Sequence, residues 1–242
     1  MSCLECLKKR KMMNSLTSAD KAGYSFSGLS GSILKVIALV SMLADHSAYY
    51  LLEHGTSLYE AMCCFGRIAF SVFAFLIAEG FAHTRNRLRY FLTLLGFAVV
   101  SEVPWFLLNG ADGTHNVMFT LALGAGALAI FDKYHQRKFL CFCMIALIAL
   151  FATGLGTDYE WRGILLIMIC YMMREHRPLL LLFALPLMIY YGIVGAIMAT
   201  IVLALYDGTR GFIQGSTAKY GFYAFYPVHL FLLEYFSNSS TY

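Results

Sequence analysis

Five acid–base side chains stand inside apolar stretches of the sequence: Asp45, His46, Arg67, Glu102 and His229. Ionisable groups at membrane depth are costly, and they therefore tend to mark a transport pathway or a reactive site. Imidazoles and carboxylates are also the side chains that most often move protons in enzymes. The set predicts either an acid–base catalytic site or a relay that carries protons.

Two of the candidate residues share one face of the first apolar helix. Lys35 and His46 are eleven residues apart, which is roughly three helical turns. The spacing places the cation at the mouth of a possible shaft and the imidazole deep inside it. The alternative is that Lys35 only anchors the helix at the membrane surface, while His46 is a core histidine bonded to Asp45 or to a backbone carbonyl.

The composition sets the fold class. Of 242 residues, 60% are hydrophobic and 13% are charged, against roughly 45–50% and about 25% in soluble domains. The mean hydropathy is +0.67. These values exclude a soluble domain, a disordered chain, a nucleic-acid-binding protein and a secreted disulfide scaffold. They predict an all-α fold, a polytopic integral membrane helical bundle embedded in a lipid bilayer.

Apolar runs predict about nine transmembrane helices, or eight if residues 179–206 form one helix. A single transmembrane domain is expected over residues 33–236, between a polar tail at residues 1–32 and a short tail at residues 237–242. The runs lie at residues 33–52, 61–82, 90–108, 117–131, 139–153, 161–173, 179–191, 193–206 and 221–236.

The loops predict an orientation. All lysines and arginines except Lys35, Arg67 and Arg162 fall in the N-terminal tail or in alternate loops on the same side. Cytoplasmic loops carry such an excess, so nine spans predict a cytoplasmic N-terminus and an outer C-terminus, in the cell (inner or plasma) membrane. This topology places the five acid–base residues at a similar depth in the membrane. The alternative for Arg67 and Glu102 is a structural ion pair in which they only neutralise each other.

Two cysteines in the tail form a lone pair spaced as CxxC. Cys3 and Cys6 supply two thiols, whereas a structural zinc site needs four ligands. No metal cofactor is expected.

Six stretches, in this order and spacing, resemble the TraX family from about Leu34 to Leu233. That resemblance implies a polytopic inner-membrane acetyltransferase, and the family's named member acetylates the N-terminus of F-type conjugative pilin. Two positions depart from the pattern: Ser71 replaces a usual proline and Glu160 a usual glycine. The stretches are LKVIALVSMLADH (34–46), GRIAFSVFAFLIAEGFAHT (66–84), SEVPW (101–105), NVMFTLALG (116–124), DYEWRGILL (158–166) and FYPVHL (225–230).

The Lys35 to His46 spacing also resembles the Arg-x10-His signature of the wider membrane acyltransferase group. Those enzymes move acyl groups from cytosolic coenzyme A to acceptors across the membrane. Lysine keeps the point charge of the arginine but loses its bidentate contacts with phosphate.

An acetyltransferase needs a base, a donor for the oxyanion and a dry pocket. His46 is the candidate base, or else a nucleophile that holds the acetyl group. Asp45, Glu102 or His229 would orient it. Arg67 or Asn116 would donate hydrogen bonds to the oxyanion.

The two substrates are expected at opposite ends of the bundle. Acetyl-CoA, the co-substrate, would meet a group at the cytoplasmic end formed by Lys35, Glu79, His83 and Arg85. The acceptor, a peptide or pilin N-terminal amine or a glycan hydroxyl, would enter from outside near residues that include Asp112, His115, Asn116, Asp158 and Tyr159.

Two other functions fit the same residues. In a proton-coupled transporter or permease, Asp45, His46, Glu102 and His229 would form a proton relay. In a structural membrane subunit, the polar groups would only hold helices together. A coenzyme A-dependent signal without flux distinguishes the enzyme from the transporter.

Overall fold

The computed structural model describes Gly28 to Ser239, so Cys3, Cys6 and most of the predicted N-terminal tail lie outside the described residues. Within that range the regular elements are all α-helices, which confirms the predicted all-α class. They are α1 (Gly31–Leu51), α2 (Ser57–Gly66), α3 (Ile68–His83), α4 (Arg87–Asn109), α5 (Val117–Tyr134), α6 (Lys138–Gly154), α7 (Glu160–Met172), α8 (Arg177–Ile189), α9 (Ile193–Ala204) and α10 (Ser216–Ser239).

Side-chain caps fix where four of these helices begin. Ser30 accepts from the amide of the third residue after it, at 3.4 Å, and Thr56 and Asn86 do the same at 3.2 and 2.8 Å. Asn116 accepts from the amide two residues on, at 3.1 Å. Such caps satisfy amides that have no acceptor within the helix. Short connections can therefore join the helices without leaving donors unpaired.

The second apolar run is broken at Arg67, where the sequence predicts one continuous helix. The hydroxyl of Ser41 in α1 donates to the carbonyls of Phe65 and Gly66, at 2.7 and 3.0 Å. A Cβ on Gly66 would lie 2.3 Å from the Cβ of Asp45. Only glycine therefore allows α1 to approach the break this closely.

Helix α3 is the centre of the bundle. Most of its residues are buried, from Ile68 to Phe81, and it contacts α1, α5, α7 and α9. A helix that is apolar on every side is stable only when other helices or lipid surround it. The functional side chains are therefore arranged around α3, on the helices that pack against it.

Residues 179–206 form a helical hairpin of α8 and α9, so the alternative of one tilted helix is wrong. The turn ends at Gly192, whose φ of +135° lies in a region that favours glycine. The two helices pack against each other.

Contacts at the loops distinguish the two ends of the bundle. At one end, the segment before α1 pairs with the loop after α9, through the Leu29 amide and the Leu205 carbonyl at 2.7 Å. At the opposite end, the Tyr50 hydroxyl donates to Asn109 at 2.9 Å. We call these the cavity end and the loop end.

Several helices have the apolar composition of membrane spans. Between Gly28 and Ser239, four stretches are long enough to cross a bilayer: α1, the combined α2 and α3, α4 and α5. Helices α8 and α9 have 13 and 12 residues, or roughly 20 Å, against about 30 Å of hydrocarbon. The chain is thus a helical membrane protein, while the count of nine spans and the orientation stay predictions.

Candidate functional site

The structure brings together two histidines from helices far apart in the chain. His46 Nδ1 in α1 lies 2.7 Å from His229 Nε2 in α10. The ring centroids are 5.0 Å apart and the ring planes differ by 12°. The rings are thus almost coplanar, as a hydrogen bond between their nitrogens requires.

The hydrogen bonds assign a tautomer to each ring of this histidine pair. His229 Nδ1 lies 3.0 Å from the carbonyl oxygen of Phe225, which only accepts, so Nδ1 carries the proton. In neutral His229, Nε2 is then an acceptor for His46 Nδ1–H. His46 Nε2 is left with a lone pair and has no hydrogen-bond partner in the described part of the chain. It is therefore available to accept a proton.

Aromatic rings surround the histidine pair. The Tyr50 and Tyr226 rings each pack edge-on against His46, with centroids 6.3 Å away. Tyr226 also contacts His229, at 5.3 Å. His229 is only 3% exposed. His229 is therefore shielded from solvent, whereas His46 is only partly buried.

A cavity of about 520 Å³ runs from the cavity end towards Tyr226. Lys35, Leu39 and Met42 line it from α1, at the spacing of one helical face. His46, which the same face predicts one turn further on, lies beyond the lining behind Tyr226. The Tyr226 ring therefore lies at the boundary between the cavity and the histidine pair, in contact with both.

Three cations line the mouth of the cavity: Lys35, Arg210 and Lys219. The Lys35 ammonium lies 5.7 Å from the Phe222 ring centroid, and that of Lys219 lies 5.8 Å from Tyr90. Glu79 and His83 line the cavity as well, so it includes every predicted donor-binding residue except Arg85. The pattern of charged loops predicts only a topological role for Arg210 and Lys219, and nothing in the sequence indicates their place in the cavity lining.

Hydrogen bonds hold Arg210 beside the start of α1. The Ser32 hydroxyl donates to the Arg210 carbonyl at 2.9 Å and accepts from the Ile213 amide at 2.6 Å. The Gly31 amide donates to the Thr209 carbonyl at 2.7 Å. The loop after α9 is thus tied to the helix that carries Lys35 and His46.

Glu102 does not form the ion pair with Arg67 that the sequence leaves open as an alternative. One of its carboxylate oxygens bonds to His115 Nδ1, and the other accepts from Asn116 Nδ2 at 2.6 Å. His115 and Asn116 directly precede α5, so Glu102 joins α4 to that loop. Glu102 is therefore not in contact with the histidine pair.

Asn116 has no free donor for an oxyanion. Its side chain is fully buried, and its two amide hydrogens go to Glu102 and to the Ala98 carbonyl, the latter at 2.9 Å. Its oxygen accepts from the Met118 amide. The predicted role in substrate binding is thus not supported by the geometry, because every polar atom of the side chain already serves the fold.

Asp45, Arg67 and Asp158 form a separate electrostatic group at the loop end. The charges of Asp45 and Arg67 both act on the Asp158 carboxyl, and Arg67 makes no ion pair among the residues described. A Cβ on Gly195 would lie 2.3 Å from the Arg67 Cβ. The close packing of α9 therefore fixes the guanidinium here, away from the cavity.

The loops at this end are linked to each other and to the group. The His115 amide donates to the Gly156 carbonyl at 2.9 Å, and the Asp158 amide to the His115 carbonyl at 3.0 Å. Tyr159 stacks on Phe70 of α3, with centroids 3.4 Å apart.

An exposed acid completes the loop end. Hydrogen bonds from the Thr114 amide and hydroxyl hold the pKa of Asp112 below its usual range. Asp112 is therefore ionised at neutral pH, and the loop end carries negative charge.

Comparison with known proteins identifies the family. The model of the TraX protein family matches residues 30–237. The probable fimbrial assembly protein FimC of serogroup H1 from Dichelobacter nodosus is 31% identical over 234 residues, covering 83% of this chain and 92% of that protein. No solved structure matches the chain. The resemblance predicted from the six sequence motifs is thereby confirmed, and the chain belongs to the TraX family.

Proposed function

We propose that the protein is a membrane acetyltransferase that moves an acetyl group from acetyl-CoA to an acceptor amine. The observation that carries the proposal is the histidine pair, placed directly behind a cavity whose mouth holds three cations. Oriented imidazoles serve acyl transfer as general bases. Cations at a cavity mouth suit the phosphates of a coenzyme A.

The donor would bind from the cavity end, which the predicted orientation places in the cytoplasm. Lys35, Arg210 and Lys219 would contact the phosphates. Most of the remaining lining is apolar or aromatic, which suits the pantetheine chain. The thioester would then approach Tyr226 and the histidines behind it.

His46 would act as the general base through Nε2. The acceptor, after losing one proton to become the neutral amine, attacks the thioester carbonyl carbon through its nitrogen as Nε2 takes a second proton from that nitrogen. The C–S bond then breaks, and the sulfur leaves as a thiol after receiving the proton from Nε2. His229 would be a positioning residue, because it holds His46 Nδ1–H and so directs the Nε2 lone pair.

The acceptor would enter from the loop end. The ionised carboxylate of Asp112 lies there, and the carboxyl groups of Glu102 and Asp158 adjoin the same loops. A charged amino terminus is attracted to such an acidic rim. The relative from Dichelobacter nodosus is described as a fimbrial assembly protein, which favours a peptide amino terminus over a glycan hydroxyl.

The test is transfer of labelled acetyl from acetyl-CoA to two acceptor sets, peptides with free amino termini and oligosaccharides, by purified protein in detergent. We expect label on the peptides and none after their amino termini are blocked. Label on neither set, with a folded protein, would contradict the proposal. Label on the sugars alone would show that the acceptor is a glycan hydroxyl and not an amine.

Donor binding is tested separately, because a ligand that binds only the folded state raises the melting temperature. Lys35→Gln and Arg210→Gln should each reduce the shift caused by acetyl-CoA. Lys138→Gln is the matched control, since Lys138 lies near the same end but outside the cavity lining. An equal loss in all three variants would mean that only overall charge matters.

A proton-coupled transporter remains the second candidate, because hydrogen-bonded histidines also relay protons. Proteoliposomes with a pH gradient distinguish the two functions. Proton flux that His46→Ala abolishes, without any acetyl transfer by the unmodified protein, would favour the transporter.

A further inference from the structure

The hydroxyl of Tyr226 is buried and unpaired. The residue is 4% exposed, and across the described residues its oxygen is the one buried side-chain polar atom without a hydrogen-bond partner. A buried hydroxyl without a partner destabilises a fold. One explanation for such a group is that a bound substrate supplies the missing hydrogen-bond partner.

The position of this hydroxyl relates it to the cavity and to the histidine pair. Tyr226 lines the cavity together with Val117 and Met118, and its ring contacts His46 and His229. The amide of Val117, the first residue of α5, is directed at the hydroxyl oxygen without reaching hydrogen-bond geometry. The hydroxyl proton of Tyr226 is thus left as an unused donor at the inner end of the cavity.

We propose that the Tyr226 hydroxyl donates a hydrogen bond to the carbonyl oxygen of the acetyl thioester. This inference rests on the proposed acetyltransferase function. When the acceptor nitrogen bonds to the carbonyl carbon, the π electrons of the carbonyl move to oxygen. The hydrogen bond stabilises that negative charge until the carbonyl re-forms and the C–S bond breaks.

The structure favours Tyr226 over the two residues that the sequence suggests for this task. Asn116 has already donated both amide hydrogens within the fold. Arg67 packs against α9 at the loop end and does not line the cavity. Tyr226 combines burial, an unused donor and contact with the proposed base.

Tyr226→Phe tests the inference, because it removes only the hydroxyl and no hydrogen bond of the folded protein is lost. We expect kcat to fall by about 10²- to 10³-fold, the effect of removing one oxyanion donor. KM for acetyl-CoA and the melting temperature should stay near those of the unmodified protein. Tyr171→Phe is the matched control, since Tyr171 is a buried tyrosine outside the cavity lining.

The outcomes separate this inference from the function on which it rests. If the unmodified protein transfers acetyl and Tyr226→Phe does so at a similar rate, Tyr226 is not the donor and the acetyltransferase stands. If Tyr226→Phe loses the acetyl-CoA thermal shift or melts well below the control, its role is binding or structure, and the inference fails. No transfer by the unmodified protein with any acceptor contradicts both proposals.

Discussion

Replacing His229 by glutamine and by leucine separates a positioning role from a catalytic one. A glutamine side chain can place its carbonyl oxygen where Nε2 stands, 2.7 Å from His46 Nδ1, and it can accept the same hydrogen bond. Leucine fills a similar volume and accepts none. If His229 only holds His46, the glutamine variant keeps most of the activity and the leucine variant does not.

The size of the loss follows from the hydrogen bond. In His229→Leu, the Nδ1–H of His46 is left without a partner, which costs about 1–3 kcal/mol. At about 1.4 kcal/mol per factor of ten, the productive ring orientation and tautomer become about 5- to 150-fold rarer. Loss of the base itself in His46→Ala removes about 10²- to 10⁴-fold in rate. The expected order of kcat is therefore unmodified, glutamine, leucine, alanine.

The assay compares the four proteins in one detergent preparation, with kcat from acetyl transfer to a peptide amino terminus. The melting temperature and the acetyl-CoA thermal shift are measured on the same samples. These controls distinguish loss of activity from loss of folded protein. They also show that donor binding survives the substitutions.

Two results would refute the reasoning. If His229→Gln loses as much activity as His229→Leu while His46→Ala stays active, the base is His229 and the assigned tautomers are reversed. If all three variants transfer acetyl at the normal rate, the histidine pair is structural and the reaction occurs elsewhere.

Three further predictions concern stability, measured by thermal unfolding in detergent. Asn116→Ala should destabilise the fold by about 2–4 kcal/mol, since a helix cap and two buried hydrogen bonds are lost; an unchanged melting temperature would contradict this. Glu160→Gly should stabilise it by up to about 1 kcal/mol, because Glu160 has a φ of +46°; a clear fall in stability would show that its side chain matters more than its backbone. Gly195→Ala should cost about 1–3 kcal/mol through its clash with Arg67, whereas Gly154→Ala, with open space around it, should be neutral or stabilising; equal effects would rule out the clash.

The sequence predicts those parts of the site that follow from helical periodicity. Lys35 and His46 share a face because eleven residues make about three turns, and the structure places Lys35, Leu39 and Met42 along the cavity. The predicted topology places His46 and His229 at one level, and the structure brings them into contact.

Contacts through loops and between distant helices are harder to predict. His115 adjoins Glu102 because the loop before α5 folds back over α4 and pairs with residues 156–158, and no periodic pattern encodes this. The Tyr226 hydroxyl is unpaired because none of its neighbours in the fold forms a hydrogen bond with it, and this can be recognised only when all of those neighbours are known. Glu160 is an intermediate case: the glycine usual in the TraX family there already hints at the positive φ observed.

The order of synthesis has a consequence for the histidine pair. His46 and His229 are 183 positions apart, so their contact does not exist until α10 has joined α1. The bond between Ser32 and Arg210 spans 178 positions and forms only after the loop that follows α9 has been made. Contacts between distant parts of a chain form late, after the elements they join. A nascent chain inserted only as far as α9 has Lys35 of α1 but no oriented base and no closed cavity. Under the proposed function, acetyl transfer therefore reports that the whole bundle has assembled.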